Sequence, residues 1–317
     1  MKCGTRSLAV LGALALSAMG LVPAAWAADT SQSGEASPGL VDTPIPDIQA
    51  VGEGDDSAMV GATVTTVGVV TAAYPAAESG LGATLDGYTI QTPGSGGAWE
   101  PGRTRSDGLF IYAGKKGEVP AAGTCVRVTG TVGEFPATSA KGNPQSLTQL
   151  AATSVSVVEG CQAPTPIPAS RVPTPDEAEA HESMLLAPQG TWTITDNYQT
   201  NQYGTLTLTP GESPLRSATD VVAPGQAARD YEAANAARAI ALDDGTNTNL
   251  QKGTATEAAY AYLANGSPAR VGYHVAFTKP VVFEPRHGSF VFQPTSMVAG
   301  HPDRSPMTIT GERPSAP

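Results

Sequence analysis

A chain of 317 residues with a formal charge of -11, in which 29 Asp and Glu outweigh 18 Lys and Arg, carries a field that repels polyanions at long range. This excludes a tight, non-specific DNA binder of the basic type, so any nucleic-acid contact needs a local basic patch or bound cations. Only the first residues hold an apolar stretch of any length, and it is too short and too early for a permanent membrane span.

Lys2 and Arg6 precede the apolar run Leu8 to Val22, and Ala25-Trp26-Ala27 supplies small residues for cleavage before Ala28. Residues 1–27 read as a secretory signal, with Cys3 on the wrong side of the run for a lipoprotein site. The expected location is therefore secreted, extracellular, with no membrane attachment after cleavage. Removing the signal takes away Lys2 and Arg6 and no acid, which moves the formal charge to about -13. Two cysteines remain, Cys125 and Cys161, and in an oxidising compartment they are expected to form a disulfide.

Residues 28–44 are small and polar without periodicity, a disordered lead-in. Five β-branched or aromatic-rich segments follow, at 62–74, 86–93, 108–114, 125–135 and 146–160, each bounded by Gly, Pro, Asn or Asp. They predict a small closed barrel over 45–162. The segment 163–177, with five prolines, reads as a linker. A second β-rich unit over 178–300 has strand-like segments at 183–198, 203–209, 238–245, 269–285 and 289–295, and one Ala-rich helix near 225–239. Residues 301–317, ending TITGERPSAP, read as a linker stub. The expected fold class is all-β, with two OB-like (oligonucleotide/oligosaccharide-binding) β-barrel domains, the second carrying one inserted α-helix.

In this order, "SDGLFIY" (106–112), "VRVTGTVGEF" (126–135), "SLTQL" (146–150), "TITDNYQTNQYGTLTLT" (193–209), "TDVVAPG" (219–225), "AANAARAIALDDGT" (233–246) and "FVFQPT" (290–295) resemble the amino-terminal half of large secreted bacterial endonucleases of the ExeM/NucH type. The resemblance spans roughly residues 45–300. It implies OB-like barrels and, in the family, a metal-dependent endonuclease/exonuclease/phosphatase domain after a Pro-rich linker. This sequence stops about where that domain begins, so the resemblance implies the family's accessory half. The expected partners are extracellular DNA or RNA and a separate nuclease catalytic chain.

Phosphodiester hydrolysis needs acidic metal ligands and a base that activates water. The Asp-His and Gly-Asp-Phe-Asn-like signatures of that chemistry do not occur here, and no catalytic residue is assigned. His181, His274, His287 and His301 are scattered and read as surface or barrel-rim residues. His181-Glu182 begins like a zincin helix, but Leu185 stands where the second His belongs. Asp243, Asp244 and Asn247, with Asn249, form the most metal-like cluster, on a Gly-containing turn. Turn-closing hydrogen bonds by Asp243 and Asp244 are the plainer reading, and Asp196-Asn197 is read the same way. No cofactor is required; Ca²⁺ or Mg²⁺ is the cation such a cluster would take.

For binding, Phe110 and Tyr112 share one face of a strand and Leu109 and Ile111 the other, with Tyr88 on the preceding strand placed to join the aromatics. If Leu109 and Ile111 point inward, the aromatics are a base-stacking platform; if the aromatics point inward, they are core. Arg103 and Arg105 before that strand, and Lys115 and Lys116 after it, form the local basic cluster, either a phosphate site or a solvated hairpin. Two rival functions stand beside the accessory reading. One is a metal-dependent nuclease through the Asp/Asn sites, and the other a carbohydrate-binding or structural envelope module, since the fold alone does not decide.

Overall fold

The computed structural model describes residues 41–52, 56–76, 84–135, 145–252, 260–263, 268–286 and 288–311. The signal segment 1–27, most of the lead-in and His287 lie outside these residues.

Strand β1 (Thr63–Tyr74) is twelve residues long, and its length is what closes the barrel. Its first half, Thr63 to Val69, pairs with β4 (Cys125–Phe135), while Val69 to Tyr74 pairs with β2 (Gly87–Gln91) across a bulge between Val70 and Ala72. β2 then pairs with β3 (Gly108–Tyr112), β3 runs parallel to β5 (Leu147–Val157), and β5 returns antiparallel to β4. The closed order is β1-β2-β3-β5-β4. Tyr88, Ile90, Leu109, Ile111, Val126, Val128 and Leu150 fill the interior, and Ile45 and Ile48 of the short helix α1 (Ile45–Ile48) join them. The Cys125–Cys161 disulfide is present. Its sequence separation of 36 corresponds to about 4 kcal/mol of lost unfolded-chain entropy.

The second β-rich unit is not a second barrel. It is a nine-stranded mixed sheet built from β6 (Ile167–Ala169), β7 (Met184–Pro188), β8 (Trp192–Asp196), β9 (Leu206–Pro210), β10 (Ile240–Leu242), β11 (His274–Phe277), β12 (Val281–Arg286), β13 (Ser289–Pro294) and β14 (Met307–Thr310). Their order is β14-β11-β8-β9-β10-β13-β12-β7-β6, with β10–β13 and β6–β7 parallel. Its core surrounds Trp192, against which Phe277 and Phe292 stand edge-on. The predicted helix is α4 (Gln226–Ala236), preceded in chain order by the short helices α2 (Pro175–Ala178) and α3 (Thr200–Tyr203).

Two expected linkers are built into this architecture. Within 163–177 lie β6 and the start of α2, and Thr165 exchanges backbone hydrogen bonds with the β2–β3 loop at Ser95 and Gly97. Gly96 has a positive φ of 85°, and a Cβ there would lie 2.1 Å from the Thr165 carbonyl oxygen, so the approach requires glycine. Trp99 of the same loop stacks on His181 at 4.3 Å and donates to Glu177. Prolines at the sheet edge keep their carbonyls and lose only a donor, which an edge strand tolerates. Within 301–317, β14 pairs with β11; residues 312–317 lie outside the described set.

Barrel and sheet belong to one unit, Leu40–Pro317. Alternation along β12 explains the contact between them. Val281 and Phe283 face the sheet's own core, while Val282 faces the barrel, where it meets Phe110, Leu147, Tyr74 and Leu185 of β7. β1 continues into the sheet, because Ala73 donates its N–H to Thr295 and the Tyr74 hydroxyl donates to the Pro294 carbonyl at 2.7 Å.

Glu182 pins the same joint from the other side. Its Oε1 accepts from Gln49 Nε2 and from the Thr148 N–H, its carbonyl accepts from Ser106, and neighbouring Ser183 donates to Phe283 of β12. Burial, followed by the negative charge of Glu179, pushes the Glu182 carboxyl well above the usual range. A raised pKa means that the folded state keeps a proton the unfolded chain releases. The associated stability is complete below the unfolded value of about 4.3 and is lost as pH rises toward the folded value, at up to about 1.4 kcal/mol per pH unit. Glu182→Gln, which mimics the protonated form, is expected to gain on the native protein as pH rises from 4 to 8 in denaturant titrations. Parallel stability curves for the two proteins would refute this.

Candidate ligand site at the barrel end

Sequence-predicted residues separate into those the fold buries and those it gathers at one end of the barrel. In register, Tyr88 lies opposite Ile111, and Phe110 opposite Thr89. Tyr88 therefore shares the inward face with Leu109 and Ile111, and does not join Phe110. Leu109 and Ile111 do point inward, yet Phe110 is not a solvent platform either, since the sheet covers that face of the barrel and leaves Phe110 2% exposed. Of the three aromatics only Tyr112 reaches solvent, at 41%.

The basic cluster divides in the same way. Arg103 is held by Asp107 at 2.6 Å and Glu100 at 2.9 Å, and Arg105 pairs with Asp47 at 2.8 Å. These arginines stand at the entry to β3, whereas Lys115 and Lys116 follow its exit, so the four charges mark opposite ends of one strand. Lys115 and Lys116 are exposed and have no ion-pair partner among the described residues.

The exit of β3 is also where barrel and sheet loops meet. Ala113 and Gly114 donate to the Asp86 carbonyl, Thr84 bridges to Thr246, and Asn247 Nδ2 reaches the Thr84 carbonyl at 3.4 Å. The Asp243–Asn247 turn thus lies against the base of the β1–β2 loop. Within it, Asp243 Oδ1 accepts from the Asp244 N–H, Asp244 Oδ1 accepts from the Thr246 N–H, and Gln293 donates to Asp243 Oδ2 at 2.7 Å. The Tyr262 hydroxyl donates to the Asp243 carbonyl. Asp244 Oδ2 is buried without a hydrogen-bond partner among the described residues, and burial, then the charge of Asp243, raises its pKa well above the ordinary value. Gly204, at φ 68°, packs so closely that a Cβ would lie 2.1 Å from that oxygen. Among the described residues no three His, Cys, Asp or Glu side chains are spaced to share a metal ion.

Asp196 and Asn197 also serve a turn: Asp196 Oδ1 accepts from the Tyr198 N–H, and Asn197 donates to the Ala269 carbonyl. His181, expected at the surface or a barrel rim, is 1% exposed under Trp99, with Nε2 unpartnered among the described residues and a pKa lowered chiefly by burial. The Pro-rich segment and the Trp99 loop enclose it.

Beside the Asp243 turn lies a pocket of about 360 Å³, lined by Gln199, Tyr203, Asp243, Asn247, Ser289 and Arg286 among others. Arg286 is 8% exposed. Its Nε and Nη2 donate to Glu284 Oε1 at 2.9 and 2.7 Å, and its guanidinium lies 5.1 Å from the Phe110 ring centroid. Glu284 and Arg286 are two apart on β12 and take the same barrel-facing side as Val282, which brings the ion pair to Phe110. Burial raises the Glu284 pKa, while Arg286 opposes that rise. Sequence reasoning missed this pair, although Glu-Pro-Arg inside an apolar strand places two opposite charges on one face and was the available signal. A larger depression of about 580 Å³ at the β11–β14 edge, lined by Arg270, Tyr273, His274 and Gly311, gathers no buried ion pair.

Comparison with family models, with curated proteins and with solved structures returns no match.

Proposed function

We propose that this chain is the nucleic-acid-binding, accessory portion of an exported endonuclease-like protein, with an OB-type barrel as its binding unit. The observation that carries the reading is the strand circuit β1-β2-β3-β5-β4 with β3 and β5 parallel, a five-stranded Greek-key closure of the kind OB barrels use. The ordered motifs between residues 106 and 295 support the same family, and the segment 1–27 supports export. OB barrels bind on the strand 2–3 face and the adjoining loops. Here the sheet occupies the face around Phe110, so the ligand is received at the β3 exit, where Tyr112, Lys115, Lys116 and Asn247 gather. Its role is to hold nucleic acid for a nuclease domain.

Fluorescence anisotropy with a labelled single-stranded DNA tests this. Binding is expected at low salt with a Kd of about 1–100 µM, weakening as salt rises. The Lys115→Ala/Lys116→Ala variant should lower the slope of log K against log salt by about 1.4, the share of two phosphates on a single strand. Absence of binding, or binding indifferent to salt and to both lysines, would sink the reading. Metal-dependent cleavage of the same DNA that tracks with Asp243 would replace it with an enzymatic one.

A further inference from the structure

We infer that the pocket between the Asp243 turn, α3 and Arg286 receives a single extruded purine base, guanine in preference to the others; this rests on the nucleic-acid reading above and specifies its ligand. The pocket volume of about 360 Å³ falls at the small end of ligand sites, enough for one base and its ribose. Its walls offer separated chemistries. Arg286 presents a planar donor whose Nε–H and one Nη2 hydrogen are taken by Glu284, leaving the second Nη2 hydrogen and Nη1, which share one edge, without a hydrogen bond among the described residues. A guanidinium edge matches the O6 and N7 acceptors of guanine, a pair that cytosine lacks and that adenine spoils with its N6 donor. Asp243 lines the same pocket with Oδ1 and Oδ2 accepting from the Asp244 N–H and from Gln293, so it places negative charge beside the N1–H and N2–H₂ edge of guanine. The amides of Asn247 and Gln199 complete the polar lining.

Both key groups are held before any ligand arrives. Arg286 is fixed between Glu284 and the Phe110 ring, and Asp243 is fixed by Gln293 and the backbone of its own turn. Such support reduces the ordering cost of recognition. At the mouth, Tyr203 is 41% exposed and offers a ring on which a base can stack. Charge decides which part of a nucleotide enters. Arg286 is balanced by Glu284, and Asp243 adds acid, so the pocket does not welcome a phosphate. Lys115 and Lys116, on the same end of the barrel, are the groups left for the backbone.

The test is calorimetric titration of the full protein with GMP, AMP, CMP and N-acetylglucosamine, the three nucleotides sharing ribose and phosphate. GMP is expected to bind about 10-fold or more tighter than AMP and CMP. Tyr203→Ala and Asn247→Ala should each weaken GMP about 10-fold without moving the Tm, because both residues lie at the pocket surface. Arg286→Lys, checked for folding by circular dichroism, should erase the preference for GMP. Equal binding of the three nucleotides that ignores Tyr203→Ala would overturn the inference, as would preference for N-acetylglucosamine. Salt-dependent binding of single-stranded DNA with no nucleotide bound would overturn the base pocket and leave the accessory-module reading standing. Loss of both would end both.

Discussion

Phe110→Ala is expected to lower the unfolding free energy by about 3–5 kcal/mol, the range for removing a fully packed aromatic side chain. The ring is 2% exposed and packs where β3 meets Leu185 and Val282 of the sheet, so truncation leaves a cavity that two rigid β layers cannot collapse around. It also removes the surface against which Arg286 rests. Tyr112→Ala, two residues along the same strand face but 41% exposed, should cost about 0.5 kcal/mol or less. Paired urea titrations of the two variants check this. A stacking platform predicts the opposite pattern: a small stability change at Phe110 with a large loss of DNA binding. Observation of that pattern would refute the packing assigned to the barrel and sheet.

Glu284→Ala should be as costly, about 3–5 kcal/mol, for an electrostatic reason. The Glu284 side chain is fully buried and that of Arg286 is 7% exposed, so removing the carboxylate strands a guanidinium in a medium that solvates it poorly. The double replacement Glu284→Leu/Arg286→Met removes both charges and should recover most of the loss, because the desolvation of each ion then disappears together with their attraction. The recovered protein should still lack nucleotide binding, which separates the pair's structural contribution from its place in the pocket. If the single variant is as stable as the native protein in thermal and denaturant unfolding, the pair is hydrated in solution and the pocket is wider than described.

Local pattern was enough to find most of the strands. The segments at 125–135 and 289–295 coincide with β4 and β13 to within a residue, and 62–74 with β1, since β-branched alternation between Gly and Pro breaks is a property of the neighbouring residues alone. Where two strands follow each other across a short turn the boundaries blurred, in spite of Gly190 and Pro280: 183–198 holds both β7 and β8, split at Gln189-Gly190, and 269–285 holds β11 and most of β12, split at Thr278-Pro280. Proline content misled at 163–177, because a strand that pairs on only one side can carry prolines and still join a sheet.

By itself the sequence determined the predominantly β class, the five strands of the barrel, the position of α4 and the pairing of Cys125 with Cys161. These follow from side-chain alternation, helix propensity and cysteine parity, all readable without knowing what packs on what. Only the tertiary structure decided that the second unit is an open nine-stranded sheet, that Tyr88 faces inward, that Phe110 is covered, and that Arg286 meets Asp243 and Asn247 at one pocket. The reason is register and layer contact. Pairing two strands fixes which residues share a face, and docking a sheet on the barrel fixes which faces lose their water, and both depend on residues far apart in the chain.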